Sequence, residues 1–62
     1  MLVYRGKLKI SVNNTKGYCY GDVEDEEHNE VYPYFTDKEY IVSRFKEKEI
    51  IQDVIDIYKK GL

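Results

Sequence analysis

The sequence predicts an α+β fold: a small antiparallel sheet of three strands, with a fourth as the open alternative, and a C-terminal amphipathic helix packed on one face. Three observations predict it. Apolar and polar residues alternate through 2–12, the period of a half-buried strand. Segments 18–23 and 31–35 are rich in Tyr, Val and Phe and are bounded by turn-forming residues. Beyond residue 46 the period becomes helical, with Ile50, Ile51, Val54, Ile55 and Tyr58 at i, i+1, i+4, i+5 and i+8. At 62 residues the chain is expected to be one domain, with a β-meander over 1–35 and a helical part over 36–62.

The first strand is expected over 2–12. Leu2, Tyr4, Leu8, Ile10 and Val12 take one face, and Arg5, Lys7, Lys9 and Ser11 the other. Gly6 stands in the apolar row, where it suits a bulge or bend. Asn13–Gly17 is a turn cluster. Tyr18–Val23 returns as a second strand, in one of two registers. The first buries Tyr18 and Tyr20 beside Val12 and Ile10. The second, preferred here, turns Cys19, Gly21 and Val23 inward and sets Lys9 and Lys7 against Asp22 and Glu24, since opposite charges across strands stabilise.

An acidic connection over 22–30 leads to a third strand, Val31–Phe35. Pro33 assigns that strand to a sheet edge, because proline donates nothing to a ladder. Thr36-Asp37-Lys38-Glu39 matches a capping box, with Phe35 and Tyr40 spaced as a hydrophobic staple, and so predicts a short helix bearing Ile41, Val42 and Phe45. The rival is a strand over 40–45. A break is expected near Lys46, then the C-terminal helix, opened by Glu47 and Glu49 and closed by Lys59 and Lys60, with Gly61 at C′. The expected core is Leu8, Ile10, Val12, Ile51, Val54, Ile55 and Tyr58.

Charge is unevenly spread. Residues 1–16 carry Arg5, Lys7, Lys9 and Lys16 and no acid, whereas 17–37 carry seven acids and neither Lys nor Arg. Cys19 is the one cysteine, so no internal disulfide is possible, and a reducing, cytoplasmic setting is expected. Neither a secretory leader at Met1–Arg5 nor a membrane-spanning run is expected. Asn13-Asn14-Thr15 matches a glycosylation acceptor but reads as turn chemistry.

No catalytic site, cofactor or metal site is expected. The four glycines are scattered, so no phosphate loop is written in the sequence. Cys19 and His28 read as a buried thiol and a surface ring rather than a nucleophile with its base. The run from Asp22 to Glu30 lacks the central Gly and ligand offsets of a calcium loop. Direct nucleic-acid binding through Arg5, Lys7 and Lys9 is not expected of an acidic domain.

The reading that remains is a non-enzymatic protein-binding module, an accessory or inhibitor protein of phage or mobile-element type. Asp22, Glu24, Asp25, Glu26, Glu27 and Glu30 would steer the encounter, and Tyr18, Tyr20, Tyr32 and Tyr34 would supply desolvated contact. Its carboxylates could imitate the charge of DNA and block a nucleic-acid-binding enzyme. A structural, self-assembling subunit and a nucleic-acid-binding regulator are the alternatives. Homodimerisation is expected to help so small a core.

Overall fold

The computed structural model describes residues 1–61. Six strands, β1 (Leu2–Arg5), β2 (Leu8–Ser11), β3 (Asn13–Thr15), β4 (Tyr18–Asp25), β5 (Glu30–Asp37) and β6 (Tyr40–Ser43), precede a helix, α1 (Lys48–Lys60). The strands form one antiparallel meander in the order β1-β2-β4-β5-β6, and β3 continues the line of β2 alongside β4. The fold is therefore α+β with a C-terminal helix, as expected, but its sheet holds more strands than three or four.

The expected single strand over 2–12 is a hairpin. Arg5 pairs with Leu8 across the two-residue turn Gly6-Lys7, and Gly6 takes φ +58°. A positive φ at the first turn position suits glycine and matches the twist of the flanking strands, so Gly6 marks a reversal rather than a bulge. Alternation runs through such a turn without a break in period, which is why the hairpin reads as one strand. The fold-back moves Val3, not Leu2 or Tyr4, onto the core side opposite Ile10.

Asn13–Thr15, expected as turn, is strand, and the reversal is confined to Lys16-Gly17. Cys19, Gly21 and Val23 face inward as preferred. The charge pairing is displaced by two residues: Lys9 opposes Glu24, not Asp22, and Lys7 lies in the turn, its carbonyl accepting from the Glu26 amide.

Pro33 lies inside the sheet, because β5 pairs with β4 on one side and β6 on the other. Its carbonyl accepts from the Ser43 hydroxyl at 3.0 Å. Its nitrogen points the same way, just past the last paired residue of β6, so the missing N–H forfeits no ladder bond.

Residues 36–43 are not helical. Thr36 and Asp37 end β5, Lys38-Glu39 is the turn, and Tyr40–Ser43 is β6, the rival reading. The Thr36 hydroxyl caps a strand instead of a helix: it accepts from the Cys19 amide at 2.9 Å and donates to the Cys19 carbonyl at 3.3 Å.

The acidic run is likewise less of a loop than expected, since Glu24 and Asp25 belong to β4 and Glu30 to β5.

The core gathers Ile10, Val12, Cys19, Val23 and Tyr34 from the sheet, Phe45 from the linker, and Ile51, Val54 and Ile55 from α1. Leu8 and Tyr58, expected in the core, are only partly buried beside it. Burying each large apolar side chain stabilises by about 1.5–3 kcal/mol, and this packing holds a helix whose β-branched residues give it modest intrinsic propensity. Gly61 follows α1 in a right-handed conformation, φ −76°, and its N–H reaches the Ile57 and Tyr58 carbonyls; the left-handed C′ expected of it is not formed. No helix among the described residues is long and apolar enough to cross a membrane.

Candidate functional site

Because α1 covers one face of the sheet, the other is open. Alternation sends Tyr18, Tyr20, Asp22 and Glu24 of β4, Val31, Pro33, Phe35 and Asp37 of β5, and Tyr40 and Val42 of β6 to that open face. Tyr20, Phe35 and Val42 lie side by side across three strands, and Tyr18 and Tyr40 stand one row beyond. These five are 41–73% exposed, Tyr40 the most. The Tyr18 and Tyr20 rings sit 6.3 Å apart, over a shallow hollow whose walls include Thr15, Phe35 and Asp37. Toward the other end the face mixes charge with exposed apolar groups: Tyr4, Lys9, Glu24 and Val31 form one row beyond Asp22, and Lys9 reaches Glu24 at 3.9 Å.

The expected site residues divide over this frame. Tyr18 and Tyr20 are exposed together, with Asp22 and Glu24 following them on the same face. Glu26 and Glu27 lie in the β4–β5 turn, while Asp25 and Glu30 form a cross-strand pair directed to the helix side. The six acids thus occupy two faces and a turn rather than one row.

Tyr34 is not a contact residue. It is 3% exposed and its hydroxyl donates to the Ser11 carbonyl at 2.6 Å. Burial pushes its phenol well above the ordinary range, keeping it a donor. Tyr32 is half-buried against Phe45, ring centroids 5.6 Å apart. The basic row also fails to assemble, since Arg5 ends β1, Lys7 lies in the turn and only Lys9 faces the open side.

Phe35, Tyr40 and Val42 belong to the open face and were not foreseen there. The i, i+2 spacing of Val31, Pro33 and Phe35 was the available signal. Val42 was instead assigned to a helix side by the capping pattern at Thr36.

A second constellation closes the β4–β5 turn. One Asp25 carboxylate oxygen lies 2.8 Å from the His28 Nδ1, and the other accepts the His28 backbone N–H at 3.2 Å. The hydrogen bond to Asp25, reinforced by its charge, raises the His28 pKa, and the same hydrogen bond lowers that of Asp25. Donor atoms of Asp25, His28 and Glu30 lie within 4.8 Å of one another, so these are the residues whose chemistry could hold a cation. Asn29, at φ 54°, completes the turn in a conformation asparagine tolerates.

Family models, curated proteins and solved structures offer no match to this chain.

Proposed function

We propose that this chain is a small non-enzymatic protein-binding module, of accessory or inhibitor type, and that it engages its partner through the helix-free face of the sheet. One observation carries the reading: Tyr18, Tyr20, Phe35, Tyr40 and Val42 crowd one end of that face while 41–73% exposed. Large apolar side chains exposed singly are ordinary, but a contiguous patch of them marks an interaction surface. Tyrosine suits the task, supplying wide contact area with few rotatable bonds to immobilise and a hydroxyl that stays solvated.

Asp22, Glu24 and Asp37 share the face, outnumbering Lys9. The fitting partner surface is therefore apolar at its centre and basic at its rim, and Glu26 and Glu27 at the nearby turn extend the field that steers it. A nucleic-acid-binding enzyme offers such a basic surface. Aromatic rings on an open sheet can also stack bases, but the carboxylates among them repel phosphates, which favours a protein over a nucleic acid.

The test is affinity capture from source-cell lysate with three versions of the tagged chain: wild type, Tyr18→Ser/Tyr20→Ser, and Asp22→Lys/Glu24→Lys. The reading expects a protein that the wild type retains and the tyrosine variant loses, with capture by the lysine variant weakened most at low salt. Retention of nucleic acid that the lysine variant strengthens would replace it with the nucleic-acid-binding alternative. A partner held equally by all three would move the site off this face.

A further inference from the structure

We infer that β6 is a self-association edge, along which two copies of the chain pair antiparallel about Val42. This goes beyond the face-mediated reading above, because it rests on main-chain groups at the rim of the sheet.

The turn Lys38-Glu39 makes Asp37–Tyr40 the first ladder pair of the β5–β6 hairpin, and alternation then directs the main-chain groups of Tyr40 and Val42 to β5. The Ser43 hydroxyl on the Pro33 carbonyl fixes the same phase. The N–H and C=O groups of Ile41 and Ser43 consequently face away from the sheet, and no hydrogen bond among the described residues engages them. The strand is Tyr-Ile-Val-Ser, without the charge, proline or bulge that ordinarily blunts an edge.

Only one antiparallel register uses every outward group. Setting Ile41 against Ser43 of the second copy, twice by symmetry, forms four hydrogen bonds with Val42 meeting its own copy on the dyad. A slip of two residues toward the turn sets Ile41 against its own copy and Ser43 against the turn residue Glu39, outside β6, so half of the hydrogen bonds are lost. Pairing this way joins the two open faces side by side. The buried area is small, in the weak class below roughly 1,200 Å², so association belongs to the upper micromolar range.

Sedimentation of the isolated chain from about 10 µM to about 1 mM tests it. The wild type is expected to move from monomer toward dimer and no further. Val42→Lys sets two ammonium groups on the dyad and should weaken association at least tenfold, whereas Ile57→Lys, equally exposed on the helix, should not. A second measurement needs no variant: amide exchange at Ile41 and Ser43 should slow with concentration, while Asn14, whose amide faces out from the opposite edge, stays unchanged. A monomer across the whole range overturns the assignment and leaves the edge to a strand of another protein. So does association that Val42→Lys leaves intact while Ile41 and Ser43 still exchange freely.

Discussion

Four hydroxyls do in this sheet what main-chain partners do elsewhere. Between Ile10–Val23 and Asn13–Tyr20 the ladder opens: the Asp22 amide turns to the Ser11 Oγ at 2.9 Å, and the Ser11 carbonyl turns to Tyr34. Thr36 serves Cys19 and Ser43 serves Pro33 in the same manner. Gly21 is what permits the first opening, since a Cβ there would overlap the Ser11 carbonyl. Gly21→Ala should therefore cost about 1–3 kcal/mol or more in urea unfolding, as backbone cannot give way as a side chain can. Tyr34→Phe keeps the ring and strands the Ser11 carbonyl, so a loss of about 1–3 kcal/mol is expected.

At the other end of β4, the Asp25–His28 clasp predicts a pH window. The pKa of His28 is raised above its ordinary 6.5, so its contribution is complete below that value and is lost as pH rises through the raised one. Asp25 is lowered from 3.8, so its contribution is complete above that value and is lost as acid carries it through the lowered one. The clasp is strongest between the two ordinary values, and His28→Gln should flatten the pH dependence of the melting temperature across neutrality.

Among the elements, α1 and the inward row of β4 were legible for different reasons. The stripe of Ile51, Val54 and Ile55 fixes both period and face, and the structure buries all three. The inward face of β4 was readable from charge, because Lys9 wants an acid opposite. The capping box at Thr36 misled, because Ser and Thr satisfy a frayed strand as readily as a helix end and local spacing does not say which. The true start of α1 has no side-chain cap: Glu47 precedes it without a capping hydrogen bond. Glu47→Ser should therefore stabilise the fold by about 0.5–1 kcal/mol, seen as a higher denaturant midpoint at unchanged slope. In the β5–β6 turn Lys38 holds φ 58°, a left-handed conformation that costs a side-chain-bearing residue roughly 1 kcal/mol. Lys38→Gly should recover part of it by the same assay.

For the whole molecule, the two faces of one sheet should answer mutation oppositely. Ile51→Ala opens a cavity under α1 and should cost about 2–5 kcal/mol, enough to unfold much of so small a domain at 25 °C. Phe35→Ser, a comparable apolar loss on the open face, should leave unfolding nearly unchanged and weaken partner capture instead. Circular dichroism with urea, run beside the capture assay, reads both. By itself the sequence determined the fold class, the helix and its buried stripe, and the inward row of β4, because each is written as a local period that burial on one side enforces. It also singled out Tyr18, Tyr20, Asp22 and Glu24, which do share a surface. Only the tertiary structure decided that residues 2–12 fold back on themselves, that Pro33 sits within the sheet, that Tyr34 is a buried donor, and that Phe35, Tyr40 and Val42 join the exposed rings. Each of those turns on which strand lies next to which, and neighbours across a sheet are set by pairing between distant segments that no local period records.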